Sequence, residues 1–309
     1  MFKMIILGWK YKFIYLKKKK KKKQKHKLTV VRYRNRTPKE VIEELKIRID
    51  KSKITTLVIN TKIKVDDETV KYLTKLQFEK NIRIITIEIF MEQYLHKCYI
   101  PENDVDLNYL ANIKPFSTWQ YIQKRLVDYI GVFSLFLLLW PILIYTKYKI
   151  KKESPGTSIF KQLRVGLHGK LFKCHKFRSM HLNSHHDPYT RENDSRIFPW
   201  GNTMRKTRID ELPQLLNVLK SEMHFIGPRA EWNILVESYE KEIPYYNERH
   251  IIRPGITGWA QVNYPYGSNI EDTKQKLMYD LYYIKHWSIW LELKVVWKTI
   301  LVVLGKKGI

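Results

Sequence analysis

Asp210 and Glu211 stand side by side just ahead of Pro213, and Leu212, Leu215, Leu216 and Leu219 follow at helical spacing. Proline is well tolerated in the first turn of a helix, so the pattern predicts two carboxylates at a helix N-terminus. Acids there also cap the helix and oppose its dipole, so the pair alone does not define chemistry. The surrounding cations do. Lys176 and Arg178 fall two apart, on one face if that stretch is a strand. Gly227 and Pro228 put Arg229 just past a turn; Arg249 and Arg253 flank His250, and Arg253 leads into Pro254, Gly255, Ile256, Thr257 and Gly258. The planar fork of arginine suits phosphate oxygens, and magnesium is usually held by one or two carboxylates plus substrate phosphate. Acids set among such cations predict a magnesium-assisted phosphoryl site with Asp210 and Glu211 as the metal ligands.

The elements that must hold these residues begin with an apolar run, residues 129–146 (YIGVFSLFLLLWPILIYT). At ~1.5 Å per residue it extends about 27 Å, near the limit for a thin bilayer. Pro141 lies inside it and predicts a break. Lys124 and Arg125 precede the run, and Lys147, Lys149, Lys151 and Lys152 follow it. Basic flanks belong on the cytoplasmic side, so both ends are expected to return to one face as a re-entrant helix–break–helix; a buried core helix is the other reading of such a length. Residues 284–304 mix apolar side chains with Trp287, Trp290, Trp297, Lys285, Lys294 and Lys298, which suits a helix in the membrane interface and equally a core-packing terminal helix.

Upstream, residues 29–33, 54–60 and 82–89 read as strands, and residues 38–50 and 66–79 as helices. That alternation predicts a small α/β domain with a parallel sheet over residues 29–115. No glycine-rich phosphate loop follows these strands, so a docking or regulatory role is expected there. Residues 101–114 read as a polar linker, and the catalytic unit is expected over residues 116–309. The overall expectation is an α+β protein whose re-entrant and interfacial helices belong to that catalytic unit.

The net charge is +27, and twelve lysines with no acid lie within residues 1–27. So basic a chain needs a polyanionic partner: nucleic acid, anionic lipid or a nucleotide substrate. Residues 1–28 lack the clean apolar core and cleavage site of a signal peptide and read as an interfacial arm for anionic headgroups, or as a solvated tail. The 9 tryptophans and 20 tyrosines suit a membrane–water boundary. Cys98 and Cys174 lack metal-ligand spacing and predict inert thiols in a reducing compartment. His181, His185, His186 and Asp187 lack structural-zinc spacing.

From residue 124 onward the chain resembles the bacterial sugar transferases, the monotopic polyprenyl-phosphate phosphoglycosyltransferases. The matching stretches are KRLVD (124–128), Pro141 in its apolar run, ESPGTSIFKQLRVGLHGKLFKCHKFRSM (153–180), RIDELPQLLNVLKSEMHFIGPRA (208–230), RHIIRPGITGWAQVN (249–263) and YDLYYIKHWSIWLELKVVWKTI (279–300). Trp140, Ala230, Ser221 and Ser195 depart from the residues usual in the family at those places. The resemblance implies transfer of a sugar 1-phosphate from a UDP-sugar to polyprenyl (undecaprenyl) phosphate, with release of UMP. Asp210 would be the nucleophile that carries the phosphosugar, and Glu211 would assist through Mg2+. Lys176, Arg178, Arg229, Arg249 and Arg253 would contact phosphate, and Pro141 would break the membrane helix. It further implies the cytoplasmic face of the bacterial inner membrane, initiation of glycan assembly (capsule, exopolysaccharide, O-antigen or glycoprotein glycan) and no nucleic-acid partner. The rival reading is a non-catalytic membrane-peripheral or nucleic-acid-binding basic protein. It accounts for the lysines but not for the acid pair, and no nucleic-acid fold signature accompanies it.

Overall fold

The structure is a computed structural model that describes residues 3–8, 27–33, 35–51, 54–59, 65–101, 113–182, 184, 194–265, 267 and 269–305. The lysine run at 17–23, most of the linker, and His185, His186 and Asp187 lie outside the described residues. The chain divides into two compact units, Met1–Tyr99 and Ile100–Ile309.

The first unit is an all-parallel sheet in the order β2-β1-β3-β4, built from β1 (Lys3–Leu7), β2 (Lys27–Val31), β3 (Ile54–Ile59) and β4 (Arg83–Thr86). Its helices α1 (Pro38–Asp50) and α2 (Asp67–Lys80) start on side-chain caps: Thr37 forms a capping box with Glu40, and Asp66 caps the second. Two expectations are corrected here. Residues 3–7, read as part of an interfacial arm, form the strand next to β3, with Met4 to Leu7 fully buried; a strand covered on both faces is apolar throughout and shows no alternation. The third apolar run also stops being a strand at Thr86, whose hydroxyl accepts from the amide of Ile89 and caps α3 (Ile87–Phe90).

The second unit is organised by one helix of 36 residues, α4 (Thr118–Glu153), started by a capping box between Ser117 and Gln120. The expected break at Pro141 is absent: α4 continues through it. A proline deletes one backbone donor, and the hydrogen bonds of the adjoining turns hold the flanking residues helical. One stripe of α4 packs inward. Val132, with Leu135 and Phe136, meets Cys174, Leu215, Val218 and Met223; beyond Pro141, Leu143 and Ile150 meet Phe177, Phe198 and Met204. The opposite face is bare, with Phe133, Leu137, Leu138, Trp140 and Ile144 all exposed.

Around that helix lie a hairpin of β5 (Ile159–Val165) and β6 (Leu171–Phe177), then α5 (Pro199–Thr207), a 3-10 turn (Ile209–Gln214) and α6 (Leu215–Leu219). Next come β7 (His224–Ile226), α7 (Asn233–Glu242), a second 3-10 turn (Tyr246–Ile251), β8 (Gly255–Thr257) and α8 (Trp259–Asn263). The unit ends on α9 (Ile270–Lys285) and α10 (Ile289–Leu304). The terminal apolar stretch is therefore split: Trp287 is buried in the bend, while Trp290, Leu293, Trp297 and Leu301 are exposed on α10 and Leu291 and Val295 face the core.

Candidate active site

Asp210 and Glu211 sit on the 3-10 turn rather than at the start of one long helix, and the α-helical part is only Leu215–Leu219. The turn is entered through Arg208, whose φ of 59° lies in the left-handed region, a conformation that costs a non-glycine residue energy and tends to mark functional sites. Among the leucines, Leu215 is buried and Leu216 is 45% exposed.

The two acids have opposite surroundings. Glu211 is buried, and its Oε1 accepts from Lys176 Nζ at 3.2 Å and from Arg229 NH1 at 3.0 Å. Its Oε2 takes a longer contact, 3.4 Å, from Arg208. Burial by itself would raise this carboxyl; the cations Arg229, Lys176 and Arg208 outweigh it and hold Glu211 well below the ordinary carboxylate range. Asp210 has no hydrogen bond or ion pair among the described residues. Burial, followed by the neighbouring Glu211 charge, raises its carboxyl to about 6, against the pull of Lys176, Arg205 and Arg208. Glu211 is thus a fixed anion that gathers cations, and Asp210 is an uncommitted carboxylate facing the same cations.

Arg229 reaches Glu211 because its turn is tightly held. Gly227 N accepts no spare volume: a Cβ on Gly255 would fall 2.0 Å from it. That close approach lets the amide of Gly255 donate to Pro228 O at 2.7 Å and brackets Arg229 beside β8. Ala230, where the family usually has proline, is buried in the core and leaves this aim intact.

The remaining predicted cations are dispersed. Arg178 does not share the face of Lys176, because β6 ends at Phe177. Its guanidinium is buried and donates to Thr157 O, Ser154 Oγ and Ser154 O, so it fixes the segment after α4. Arg249 is buried too, paired with Asp280 at 2.9 Å, and donates to Arg229 O at 2.8 Å. Arg253 lies over the ring of Tyr121 on α4 and donates to its hydroxyl at 2.9 Å. Sequence reasoning missed Arg164, Arg205, Arg208 and Lys276. Arg164 hydrogen-bonds Ala230 O and lies 4.0 Å from Glu231; Lys276 is set among Glu231, Arg229 and Arg249. Arg208, two residues before Asp210, was the one legible signal among these.

Both cysteines are buried and free, and burial pushes the Cys174 thiol up, as inert thiols require. No cluster of three or more His, Cys, Asp or Glu suited to a metal ion occurs among the described residues. The acid pair supplies oxygen donors: the Asp210 carboxylate, and Glu211 Oε2 with its single long contact. That set fits magnesium, which keeps several waters and takes the rest of its shell from substrate phosphate.

Residues 119–306 match the model of a family described as bacterial sugar transferase. The chain is 43% identical over 203 residues to a UDP-N-acetylgalactosamine-undecaprenyl-phosphate N-acetylgalactosaminephosphotransferase of Aeromonas hydrophila, covering 65% of this chain and 48% of that protein. It is 40% identical over 191 residues to a UDP-glucose:undecaprenyl-phosphate glucose-1-phosphate transferase of Xanthomonas campestris, covering 60% of this chain and 40% of that protein. To the undecaprenyl-phosphate galactose phosphotransferase of Salmonella typhimurium it is 37% identical over 202 residues, 60% of this chain and 41% of that protein. The chain thus spans about half or less of the length of these relatives.

Proposed function

Since this chain belongs to the bacterial sugar transferase family, we propose that it transfers a sugar 1-phosphate from a UDP-sugar to undecaprenyl phosphate and so initiates assembly of a bacterial glycan. The observation that carries this reading is the division of labour in the acid pair: Glu211 is neutralised by Lys176, Arg229 and Arg208, and Asp210 is left without a partner among the described residues.

A nucleophile needs a free lone pair, and Asp210 has one. Its carboxylate oxygen attacks the phosphorus that bears the sugar. The bond from that phosphorus to UMP breaks, UMP leaves with the electron pair, and an aspartyl phosphosugar forms. A phosphate oxygen of undecaprenyl phosphate then attacks the same phosphorus. The aspartyl–phosphorus bond breaks, which frees Asp210 and yields the lipid diphosphate sugar. A carboxylate relay of this kind divides one transfer into two and predicts ping-pong kinetics. Lys176 and Arg229, held on Glu211, offer their remaining N–H groups to the diphosphate oxygens. Magnesium bound at Asp210 and Glu211 would neutralise charge on those oxygens.

The setting follows from α4. Its inward stripe meets the same globular unit on both sides of Pro141, which supports a monotopic seat: the unbroken helix lies with its bare face in one leaflet, at the cytoplasmic face of the inner membrane, and does not cross it. The bare faces of α4 and α10 then contact lipid, and the basic flanks contact anionic headgroups.

The test uses a UDP-sugar labelled on the sugar phosphate, with no acceptor. The wild type should release UMP and retain label on the protein, and Asp210→Asn should do neither, with a loss on the order of 10⁴-fold in turnover when acceptor is added. Full turnover by Asp210→Asn would remove the nucleophile assignment.

A further inference from the structure

We propose that Arg253, stacked on Tyr121 at the foot of the apolar helix, is the binding site for the phosphate of the lipid acceptor and not for the nucleotide donor; this rests on the two-step reading above.

Arg253 differs from the cations around Asp210. Arg208 and Arg229 face Glu211, and Arg249 faces Asp280. Arg253 has no acidic partner among the described residues. One nitrogen donates to the Tyr121 hydroxyl, the guanidinium lies 5.3 Å from the ring centroid, and its other N–H groups make no described hydrogen bond. A guanidinium oriented by an aromatic face, with free donors, is preorganised for an oxyanion.

Its position separates donor from acceptor. Tyr121 belongs to the first turns of α4, where Trp119, Ile122 and Leu126 are 67%, 52% and 60% exposed. A phosphate on Arg253 would therefore be held at the base of the helix that carries the bare apolar surface, within reach of the lipid that a polyprenyl phosphate brings its hydrocarbon chain from and a nucleotide does not. The charge of Arg253 acts on His224, next to Tyr121, whereas the cations acting on Asp210 are Lys176, Arg205 and Arg208. The two groups are still neighbours. Gly255 is bridged to Arg229 and lies two residues after Arg253. Strand spacing of ~4.8 Å and a rise of ~3.3 Å per residue put the Cα atoms of Arg229 and Arg253 about 8 Å apart. An acceptor phosphate held by Arg253 thus stands beside a phosphosugar held near Arg229, as an attacking group must.

Ping-pong kinetics let the two sites be read separately, since kcat/KM for each substrate reports only its own half of the reaction. Arg253→Ala should lower kcat/KM for undecaprenyl phosphate at least tenfold more than kcat/KM for the UDP-sugar. Tyr121→Phe, which keeps the ring and loses the hydroxyl, should shift the acceptor value in the same direction by a few-fold, and Arg253→Lys should recover part of the Ala loss. An equal fall in both constants would assign Arg253 to the donor or to the fold and overturn the proposal. A fall only in partition onto vesicles of phosphatidylglycerol, with the acceptor constant unchanged, would make Arg253 a general headgroup contact and overturn it equally. If the wild type releases no UMP without acceptor, the covalent reading fails by itself, and the acceptor KM of Arg253→Ala in the complete reaction still decides the assignment made here.

Discussion

The guanidinium of Arg249 donates to the main-chain carbonyl of Arg229 at 2.8 Å. Arg249 also donates to the Tyr246 hydroxyl at 2.7 Å and pairs with Asp280. An arginine placed by its sequence among the phosphate contacts therefore acts through a second arginine, by fixing the backbone from which Arg229 extends to Glu211.

Arg249→Met should leave Asp280 buried without its partner; burial already raises that carboxyl to about 6 with Arg249 present, so without it Asp280 takes up a proton near neutral pH. Breaking such a pair costs ~3–5 kcal/mol, to be seen as a large drop in Tm. Arg249→Lys keeps a charge for Asp280 but lacks the fork that serves Tyr246 and Arg229 together. It should fold, and its kcat should fall about tenfold with little change in donor KM, because one misaimed hydrogen-bonding group costs roughly 1–2 kcal/mol in the transition state. A rise confined to donor KM would instead place Arg249 on the substrate.

Asp210 must be ionised to attack. Burial and the Glu211 charge raise its carboxyl to about 6, so the ionised fraction grows as pH rises through that value. kcat/KM for the donor should climb about tenfold per pH unit below 6 and level off above it. Glu211→Gln removes the like charge and leaves the burial. The acid limb should then move to lower pH, while the plateau falls because Lys176 and Arg229 lose the anion that holds them. A limb that stays in place in this variant would show that another group governs it.

Helices α1 and α2 were legible because Thr37, Pro38 and Asp66 state where they begin. The acid pair and its cationic company were legible as residue types. Which acid is free was not, because that depends on partners 18 and 35 residues away, Arg229 and Lys176. Arg178 misled for a local reason: its parity with Lys176 is meaningful only while the strand lasts, and β6 stops at Phe177. Strand β1 was hidden by length, since five residues headed by Lys3 and followed closely by Lys10 and Lys12 resemble an interfacial arm until β2 and β3 are placed on either side of them.

Asp128 on α4 is fully buried and accepts from the amide of Phe225 at 2.7 Å and from His224 Nδ1 at 2.6 Å, with Lys124 and Arg125 beside it. Lys124 continues to Glu292 on α10 at 2.8 Å. Burial pushes His224 down to about 4 despite Asp128, so the ring is neutral and donates through Nδ1. Between that value and its unfolded value of ~6.5, the unfolded chain binds the extra proton. Stability should thus be flat in this respect above pH 6.5 and decline as pH falls toward 4. Thermal unfolding across that window checks it, and His224→Gln should flatten the decline. Asp128→Asn should cost ~3–5 kcal/mol at neutral pH, since it leaves Lys124 and Arg125 with less counter-charge.

The exposed face of α4 separates a lipid-facing surface from a core helix by a comparison of substitutions. Leu137 and Leu138 are 77% and 70% exposed, whereas Val132, about a turn and a half earlier, is 0% exposed. Each leucine removed from lipid forfeits about 1.5–3 kcal/mol of transfer free energy. Leu137→Asp combined with Leu138→Asp should therefore release the protein from membranes while its Tm in detergent changes by less than about 1 kcal/mol equivalent, because neither side chain supports the fold. Val132→Asp should do the reverse and unfold the domain wherever the protein is. Single cysteines in place of Trp119 and Tyr148, near the two ends of the helix, should both react from the cytoplasmic side and neither from outside. A label that enters at one of them from outside would mean that α4 crosses the bilayer, and residues on both sides of Pro141 could not then pack against one globular body as they do here.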